Sequence, residues 1–432
     1  MTRFNKFNDK IGVLGLGYVG LPLSLLLGRN FKVVGYDSDL DKVKRIQLSK
    51  PPISEPLLDQ LLLTQEIRKN VTFTGEKDLL RETRIKIITV GTPYNPDVGG
   101  VDYTQLGSAL EALRGNLFPG NIVMLKSTVP PGTTNNFVKK KLEEYGHKIP
   151  EEIGLAFSPE RIIEGQAVGD FTILPKIIGA SDQETMETVE MVIGSLGGKL
   201  VKVSSIETAE MVKMVDNYSR YIFLALTNEI ALISEKYSID VLELLRSAKE
   251  DYPRNGGLLL PGPGVGGSCL NKDPFILKAD LKKRGLDLKM IESAKIINRY
   301  MPKHIVGLIE EFSRGKRRVL IAGIAFKGDT DDTRYAPSLE IIDELKSKGF
   351  YVKATDPYVV NQGFSISNDI YAASRGVEVL VLLTDHSAYR NLDLNRIKEE
   401  MADYPIIFDS RGILGKTEAV KYGFEYHGLG RI

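Results

Sequence analysis

The feature that most constrains the fold is a glycine-rich turn between an apolar strand and a helix near the start of the chain. Lys10–Leu14 has the composition of a buried strand, Gly15–Gly20 reads GLGYVG, and Leu21–Leu27 is helical in pattern. In such a turn the first glycine allows the tight bend, the second admits a pyrophosphate and the third lets helix and strand pack closely. Asp37 ends the next predicted strand, where a carboxylate accepts ribose hydroxyls and repels a 2′-phosphate. The pattern predicts a Rossmann-type NAD site, and the alternative is a structural glycine turn.

The rest of the chain predicts two α/β regions separated by helices. Strands alternating with helices indicate a doubly wound parallel sheet. Further strands are predicted at Lys32–Tyr36, Ile85–Val90, Ile122–Leu125, Ile153–Phe157, Lys176–Ile178, Leu200–Val203, Arg317–Gly323, Tyr351–Thr355, Val377–Leu383 and Ile406–Asp409. Helical periodicity without Gly or Pro covers Thr208–Lys236, with more helix to about Ala248 and a second helical segment over Lys272–Arg299. The two α/β regions share no recognisable repeat in their residues.

We therefore expect an α/β protein with two Rossmann-like doubly wound parallel-sheet domains joined by a long central helix. The predicted domains are 1–205, which binds NAD, 206–300, which is the helical middle, and 301–432, which is the second Rossmann-like domain. The central helix is too long for an ordinary crossover helix, because most helices run 8–20 residues. Its length suits a bridge between domains that offers an apolar face to a partner subunit.

Charge and composition limit the partners. The chain has 57 Lys and Arg against 56 Asp and Glu, a net charge of +1 that predicts binding to neither nucleic acid nor a membrane surface. No apolar run approaches the ~18 residues that span a bilayer, and the first ten residues are polar, unlike a signal peptide. The single cysteine fits a reducing compartment, so we expect a cytoplasmic protein.

That single cysteine, Cys269, lies in a loop whose surroundings suggest chemistry. Glycines and prolines precede it, and Lys272 and Asp273 follow it. Glycines allow a ligand to approach the sulfur, the lysine favours a thiolate, and the carboxylate can move protons. The alternative is a small buried hydrophobic residue, which is the commoner fate of a lone cysteine. Together with a nicotinamide site, a reactive thiol predicts oxidation at the aldehyde level through a thiohemiacetal and a thioester.

Beyond the glycine turn, seven segments in order carry a resemblance to a known family. They are Val90–Pro93 (VGTP), Lys126–Thr133 (KSTVPPGT), Ser158–Gly165 (SPERIIEG), Glu207–Asn217 (ETAEMVKMVDN), Gly266–Cys269 (GGSC), Ala325–Arg334 (AFKGDTDDTR) and Phe408–Gly412 (FDSRG). With them the chain resembles, nearly from end to end, the UDP-glucose/GDP-mannose dehydrogenases, which are nucleotide-sugar 6-dehydrogenases. The resemblance implies oxidation of a sugar C6 hydroxyl to a carboxylate in two NAD-dependent steps.

The resemblance also implies the catalytic residues, which are Cys269, Lys213, Asn217, Asp273, Glu160 and Thr128. Lys213 and Asn217 are four residues apart on one helix face and can direct donors at a developing oxyanion. Lys213 is also implied to shuttle a proton in the first oxidation. Glu160 and Asp273 are the implied acid/base pair for thioester hydrolysis, with Thr128 ordering water. The alternative for each is an ordinary polar residue on a helix face or the surface.

Cofactor, substrate and partner contacts are implied by the same resemblance. The implied NAD-binding residues are Gly15, Gly17, Tyr18, Val19, Gly20, Asp37, Lys42, Thr92, Thr128 and Arg334, the last reaching NAD across the domain cleft. The implied substrate-binding residues are Glu160, Arg161, Ile162, Gly165, Lys213, Asn217, Arg220, Tyr252, Arg254, Gly266, Phe326, Lys327 and Arg411. Members of the family are usually dimeric through the central helix, so we expect a homodimer; no metal is expected.

The motifs lean toward a UDP-N-acetylhexosamine as the sugar. Arg161, Arg220 and Arg254 resemble residues of the branch that acts on such sugars, and they could serve an acetamido pocket. Tyr252 replaces that branch's usual His, and Ser268 with Lys272-Asp273 resembles the UDP-glucose pattern. We therefore expect UDP-N-acetylmannosamine or UDP-N-acetylglucosamine, with UDP-glucose as the alternative. A protein of a different class, a non-catalytic NAD or nucleotide sensor, is the second alternative.

Overall fold

The computed structural model describes residues 9–53, 55–97, 99–360 and 362–431. The polar start of the chain, residues 1–8, lies outside this part. The chain divides into two compact units. The first contains the chain up to Asp216 together with Phe275–Arg284, and the second contains Asn217–Pro274 and the chain from Gly285 onward.

The first unit is built on an eight-stranded sheet. In chain order the strands of this unit are β1 (Lys10–Leu14), β2 (Lys32–Tyr36), β3 (Val71–Thr74), β4 (Thr83–Ile88), β5 (Tyr94–Asn95), β6 (Gly100–Val101), β7 (Ile122–Leu125), β8 (Gly154–Phe157), β9 (Lys176–Ala180) and β10 (Leu200–Lys202). The sheet order is β10-β9-β8-β7-β4-β1-β2-β3, and β5 and β6 form a separate hairpin. The part β3-β2-β1-β4-β7-β8 has the strand order of a Rossmann fold, which switches direction between β1 and β4.

One edge of this sheet departs from the predicted parallel arrangement. The pair β8 and β9 is antiparallel, whereas β9 and β10 are parallel to each other. The connection after β8 therefore returns at the same end of the sheet and does not cross over it. Antiparallel edge strands are common on otherwise parallel sheets.

Helices cover both faces of this sheet. They are α1 (Gly20–Leu27), α2 (Leu40–Gln47), α3 (Leu58–Leu63), α4 (Gln65–Asn70), α5 (Thr104–Leu113), α6 (Lys139–Glu144), α7 (Ala167–Ile173) and α8 (Gln183–Gly194), with a π-helical turn at Thr134–Val138 before α6. Adjacent residues of β1 pack in different apolar cores: Val13 lies in one cluster and Leu14 in another. Burial on both faces explains why these strands are almost continuously apolar.

The middle of the chain forms four further helices. They are α9 (Ile206–Lys236), α10 (Val241–Lys249), α11 (Asp273–Lys283) and α12 (Lys289–Ser313). The long central helix is confirmed, and α10 is a separate helix whose N-cap, Asp240, accepts hydrogen bonds from two backbone N–H groups. The prediction of one helical segment over Lys272–Arg299 was wrong. The helix breaks around Gly285, which has φ +85°, and α12 continues through Pro302 to Ser313.

The second unit contains a five-stranded parallel sheet. Its strands are β11 (Arg318–Ala322), β12 (Tyr351–Thr355), β13 (Val379–Leu382), β14 (Ile406–Asp409) and β15 (Glu425–Gly428), and its helices are α13 (Pro337–Ser347), α14 (Ile370–Ser374), α15 (Leu394–Glu400) and α16 (Lys416–Lys421). The order β12-β11-β13-β14-β15 is that of a doubly wound sheet that switches between β11 and β13. Both predicted doubly wound domains are thus present, although the strands β3, β5, β6 and β15 escaped prediction. Throughout the described ranges, every helix is too short or too polar to cross a membrane.

Candidate active site

The glycine turn after β1 forms an open cradle. Gly15 has φ +95° and donates its N–H to the carbonyl oxygen of Tyr36 at 2.8 Å. A Cβ on Gly20 would overlap the carbonyl oxygen of Gly15, whereas a Cβ on Gly17 would point into open space. The first turn of α1, which begins at Gly20, carries no acidic residue. An uncovered helix N-terminus with room at Gly17 fits the pyrophosphate of a dinucleotide.

Asp37 fixes this turn to the end of β2. Its Oδ2 accepts hydrogen bonds from the N–H of Leu16 at 2.8 Å and from Nζ of Lys42 at 2.7 Å, and its Oδ1 accepts one from the N–H of Asp39 at 3.0 Å. The carboxylate is 7% exposed. Lys42, which the resemblance placed at the cofactor, is therefore the direct charge partner of Asp37. The pair holds a negative group where the adenosine ribose of a dinucleotide would lie.

The other predicted NAD-binding residues of this unit lie beside the cradle. Tyr18 and Val19 are half-buried residues of the glycine turn, and Val19 is the N-cap of α1. The hydroxyl of Thr92 donates a hydrogen bond of 2.6 Å to the carbonyl oxygen of Thr128. The loops that follow β4 and β7 are thus tied together at the carboxyl ends of the strands, where ligands bind in doubly wound sheets.

Glu160 is held by backbone donors and a buried lysine. Its Oε1 accepts hydrogen bonds from the N–H groups of Arg161 at 2.8 Å and Ile162 at 3.1 Å. Its Oε2 lies 3.2 Å from Nζ of Lys126, whose side chain is completely buried and also donates to the carbonyl oxygen of Ser158. In the sequence Lys126 is the first residue of the motif KSTVPPGT, and nothing in its spacing links it to Glu160.

The rest of the loop that carries Glu160 is fixed by two more carboxylates. Glu55 accepts hydrogen bonds from the N–H groups of Gly165 at 2.8 Å and Ala167 at 2.7 Å. Asp170 accepts one from the N–H of Ile163 at 2.8 Å. Sequence reasoning missed Glu55, which lies 110 residues before Gly165 and belongs to no motif.

Arg161 takes part in an ion pair within the first unit. Its Nη1 lies 3.2 Å from Oδ2 of Asp216, and its Nη2 donates to the carbonyl oxygen of Pro175 at 3.0 Å. A guanidinium held at two points has a fixed direction. The predicted role of Arg161 at the sugar must be compatible with this pairing.

Glu210, on the first half of α9, anchors the loop after β7. It accepts hydrogen bonds from the N–H groups of Gly132 and Thr134 and from the hydroxyl of Thr134, at 2.5, 2.8 and 2.7 Å. Burial raises the pKa of Glu210, while the hydrogen bonds from Thr134 and Gly132 oppose that rise. The same helix carries Lys213 three residues later, so the predicted proton shuttle stands on a helix that is tied to the Thr128 loop.

In the second unit the structure brings Asn217 and Asp273 together. Nδ2 of Asn217 donates to Oδ2 of Asp273 at 2.6 Å, and Asp273 is completely buried. Oδ1 of Asp273 lies 3.3 Å from Nζ of Lys272. Since a carboxamide carries two N–H groups, Asn217 retains a second donor for an oxyanion.

Cys269 is exposed, which is contrary to its alternative as a buried hydrophobic residue. Its carbonyl oxygen accepts hydrogen bonds from the N–H groups of Lys272 and Asp273, at 3.1 and 2.8 Å, so that it lies in the turn leading into α11. Nδ2 of Asn271 donates to the carbonyl oxygens of Val265 and Gly267 and holds the loop in shape. The thiol is therefore presented by a fixed turn beside the positive end of a helix dipole.

The predicted nucleotide-holding residues pack against the same loop. A Cβ on Gly266 would overlap Cβ of Phe326, and the N–H of Gly267 donates to the carbonyl oxygen of Arg334 at 2.8 Å. The Arg334 guanidinium is held by both oxygens of Asp332. Within this unit, residues 325–334 and the cysteine loop form one continuous structure, and the half-buried Lys327 belongs to the first of these segments.

Arg411 is the second cation of this region. It donates to the carbonyl oxygen of Pro261 at 3.1 Å and to Oδ2 of Asp385 at 3.2 Å. Burial opposes ionisation of Asp385, but the charge and hydrogen bond of Arg411 outweigh it and lower the pKa of that carboxyl. Arg411 is thus pre-oriented by a partner that stays ionised.

The remaining predicted sugar contacts lie on the surface. Arg220 and Arg254 are exposed, and Nη1 of Arg254 donates to the hydroxyl of Tyr252 at 3.3 Å. Among the residues that the structure describes, no cluster of three or more His, Cys, Asp or Glu side chains could hold a metal ion. The polar groups described above suit a bound dinucleotide, and Cys269 supplies a thiol.

The dinucleotide cradle, the exposed thiol loop and the second doubly wound sheet define an NAD-dependent oxidoreductase class. Comparison with known families agrees in three consecutive segments. Residues 9–196 match the NAD-binding domain, 207–300 the central domain and 320–416 the UDP-binding domain of the UDP-glucose/GDP-mannose dehydrogenase family. The chain belongs to this family; it is an oxidoreductase whose cofactor is NAD and whose substrate is a UDP-sugar.

Relatives of two substrate types are similar to the chain. A UDP-N-acetyl-D-mannosamine dehydrogenase of Methanocaldococcus jannaschii is 31% identical over 100% of this chain and 99% of its own. A UDP-glucose 6-dehydrogenase of Rickettsia bellii is 31% identical over 97% of this chain and 99% of its own. The solved structure of a UDP-D-ManNAc dehydrogenase from Pyrococcus horikoshii superposes with a TM-score of 0.87 at 30% identity, covering 98% of this chain and 99% of that chain.

Proposed function

We propose that the protein oxidises the C6 hydroxyl of a UDP-N-acetylhexosamine, UDP-N-acetylmannosamine or UDP-N-acetylglucosamine, to the uronate for glycan precursor synthesis. The observation that carries the four-electron chemistry is the exposed Cys269 in its fixed turn, with the Asn217–Asp273 pair anchored in the same unit. A single oxidation to an aldehyde needs no thiol. Two oxidations need a nucleophile that holds the aldehyde carbon between them.

The first oxidation needs a base and a stabilised alkoxide. Lys213 accepts the C6 hydroxyl proton, which a lysine in its neutral form can do. The cradle of Gly15, Gly17 and Gly20 would hold NAD, which would supply the hydride acceptor, with one NAD consumed in each of the two oxidations.

Cys269 then adds to the aldehyde carbon, and the resulting thiohemiacetal oxyanion receives a hydrogen bond from the second N–H of Asn217. Loss of hydride from this adduct gives a thioester. Water forms a C–O bond to the thioester carbon, the C–S bond breaks, and Cys269 leaves as the thiolate. Glu160 or Asp273 takes the proton of the attacking water, and the hydroxyl of Thr128 orders that water. An exposed thiol works only while reduced, so we place the reaction in the cytoplasm.

The acetamido preference is supported by the three arginines and by the mannosamine-type relatives. Recognition of an acetamido group requires hydrogen-bonding partners that a glucose hydroxyl does not need. UDP-glucose is the second candidate, because Ser268 with Lys272-Asp273 resembles the glucose pattern and a UDP-glucose 6-dehydrogenase is equally similar in sequence. The exposed nucleophile argues against a non-catalytic sensor, which has no use for one.

The test is a panel of UDP-N-acetylmannosamine, UDP-N-acetylglucosamine and UDP-glucose with NAD. We expect two NADH per sugar consumed and the highest kcat/KM with an acetamido sugar. Preference for UDP-glucose would contradict the sugar assignment, and one NADH per sugar would contradict the four-electron reaction. Cys269→Ala is the matched control, which should abolish uronate formation while calorimetry shows unchanged NAD binding.

We also propose that the protein is a homodimer through α9. In the second unit, Phe223, Leu226 and Ile233 of this helix are 38%, 40% and 50% exposed, and Ile296 of α12 is 71% exposed. Large apolar side chains at the spacing of 226 and 233 lie on one helix face and suit an isologous contact. Light scattering should give twice the monomer mass of 47.9 kDa. Leu226→Glu/Ile233→Glu should give the monomer mass, and a monomeric unmodified protein would overturn the proposal.

A further inference from the structure

A buried lysine faces one of the two candidate hydrolytic carboxylates. β7 and β8 are parallel neighbours, with Leu125 opposite Phe157 in the register. Lys126 directly follows β7, and Ser158 directly follows β8. Both therefore lie at the edge formed by the carboxyl ends of the strands, where doubly wound folds bind ligands. Glu160 follows two residues later. The topology thus brings Lys126 and Glu160 together although 34 positions separate them in the sequence.

The Lys126 ammonium group has few partners for a buried charge. Its side chain is completely buried, and Nζ lies 3.1 Å from the carbonyl oxygen of Ser158 and 3.2 Å from Oε2 of Glu160. A buried cation needs an anionic partner, because an isolated charge in a protein interior is very unfavourable. Glu160 supplies that partner, and the two charges compensate each other.

In the described part of the chain, only one of the two Glu160 carboxylate oxygens accepts hydrogen bonds. Oε1 accepts two backbone hydrogen bonds and is fixed, whereas the buried Oε2 and the buried Oγ of Ser158 make no hydrogen bond with any residue that the structure describes. Buried polar atoms in native proteins almost always have partners, and exceptions cluster where a water or ligand binds. Two such atoms in one loop indicate a binding position for water or a substrate hydroxyl beside Lys126.

The other charges around Glu160 are directed elsewhere. Arg161 pairs with Asp216, and Nζ of Lys176 donates to the carbonyl oxygens of Asp170 and Leu174. Burial lowers the pKa of Lys176, although the Glu160 charge partly opposes that shift, and Oδ2 of Asp170 accepts a hydrogen bond from the N–H of Ile163. Among the described residues, Lys126 is the cation that forms an ion pair with the Glu160 carboxylate.

We propose that Lys126 is a positioning residue, whose ammonium group keeps Oε2 of Glu160 directed at the water that hydrolyses the thioester. This inference rests on the proposed four-electron function. In the hydrolysis, Glu160 accepts a proton from water as the C–O bond forms and the C–S bond to Cys269 breaks. Lys126 does not exchange a proton with the substrate; it acts through Glu160.

The test is Lys126→Met followed by stopped-flow NADH formation with NAD and the preferred UDP-sugar. Both oxidations precede hydrolysis, so a burst of two NADH per active site should remain, and the following steady-state rate should fall at least about tenfold. Mass spectrometry should show an acyl adduct on Cys269.

Two further variants separate a positioning role from a structural one. Lys126→Arg keeps the charge and should restore most of the steady-state rate. Glu160→Gln should lose hydrolysis by itself, and adding Lys126→Met to it should cause little further loss, because residues that act through one another are not additive. The double variant also removes both buried charges, so that it can fold where Lys126→Met alone does not.

The outcomes are distinct. A burst that shrinks together with the steady-state rate, no recovery of that rate in Lys126→Arg, or a further loss of at least about tenfold in the Glu160→Gln background would each overturn the role of Lys126. An unmodified protein that forms fewer than two NADH per sugar would instead refute the four-electron function. Calorimetric NAD affinity close to that of the unmodified protein confirms that each variant is folded.

Discussion

The two α/β regions use the same turn for different purposes. After β1, Gly15 donates its N–H to Tyr36 and Asp37 accepts the N–H of Leu16. After β11, Gly323 has φ +93° and donates its N–H to the carbonyl oxygen of Thr355 at 2.9 Å, and Asp356 accepts the N–H groups of Ile324 and Ala325 at 2.7 and 3.1 Å. In each region the glycine ends the first strand and the aspartate comes directly after the second.

The regions differ in the segment that connects this glycine to the next helix. In the first, α1 begins at Gly20, so the helix N-terminus faces the turn and leaves a cradle. In the second, α13 begins only at Pro337, and the intervening loop carries Phe326, Lys327 and Arg334. A backbone cradle suits the cofactor pyrophosphate, whereas a side-chain loop suits selective recognition of another nucleotide.

Asp37 and Asp356, the aspartates of the two turns, also differ in their burial and in their hydrogen-bond partners. Asp37 has the Lys42 ammonium as partner, and its own side chain is 8% exposed. Asp356 is completely buried and also accepts the N–H groups of Tyr358 and Val359 and a hydrogen bond with Nε2 of His386 at 3.1 Å. Burial opposes its ionisation, yet the hydrogen bond of His386 and the backbone donors hold the pKa of Asp356 below its usual value. We infer that Asp37 remains available to a ligand, whereas Asp356 is a structural tie.

The largest effect should come from Asp356→Asn. An amide cannot replace a carboxylate that accepts hydrogen bonds from four backbone N–H groups and His386, so we expect a loss of about 3 kcal/mol in the free energy of unfolding, measured by urea denaturation. Because the pKa of Asp356 is lowered in the folded state, its contribution is full above the unfolded value of 3.8 and is lost as pH falls below it. The variant should lack this part of the acid dependence. A stability within about 0.5 kcal/mol of the unmodified protein would contradict the structural role.

Next in size is the glycine pair of the cradle. Gly17→Ala should lower NAD affinity about 100-fold in calorimetry while leaving the thermal midpoint unchanged, because its Cβ enters the open space that a pyrophosphate needs. Gly20→Ala should lower both, since its Cβ overlaps the carbonyl oxygen of Gly15. UDP affinity should be unchanged in Gly17→Ala. Equal NAD affinity for Gly17→Ala and the unmodified protein would show that the cradle does not hold the cofactor.

A smaller effect is expected from Asp37→Asn. Loss of the charge removes the acceptor for the ribose hydroxyls and the repulsion of a 2′-phosphate. NAD affinity should fall about tenfold, which is about 1.4 kcal/mol, and the preference for NAD over NADP should narrow. Stability should change far less than in Asp356→Asn. If Asp37→Asn instead unfolds the protein and leaves the NAD to NADP ratio unchanged, the contrast between the two aspartates is wrong.

Sequence reasoning identified the first turn but missed its counterpart. The first was found because strand, glycines, helix and Asp37 follow closely, with 22 positions from Gly15 to Asp37. Gly323 and Asp356 are 33 positions apart and their turn lacks the second glycine, so no repeat in the residues was recognised. The backbone shows the correspondence because hydrogen bonds, not spacing, define it.

At the candidate site, too, sequence reasoning found residues but not the hydrogen bonds between them. Cys269, Asn217 and Asp273 were selected through motifs, yet the hydrogen bond between Asn217 and Asp273 joins residues 56 positions apart. The partnership of Lys126 with Glu160 depends on β7 lying beside β8, and strand order is not written in local periodicity. Motifs therefore gave candidate residues, whereas the pairings that orient them required the fold.

The smallest effect should come from His386, which connects Asp356 to the loop that carries Lys327. Nδ1 of His386 accepts the N–H of Asp329 at 3.0 Å, so the ring joins a structural aspartate to the segment that carries Lys327. His386→Asn should shift this loop and weaken UDP binding about threefold to tenfold, as expected for one or two hydrogen bonds, with NAD affinity unchanged. Calorimetry with UDP and NAD separately measures both. Because Asp37 has no such histidine, a loss of NAD affinity equal to that of UDP would show that His386 supports the whole protein and does not act specifically on the second region.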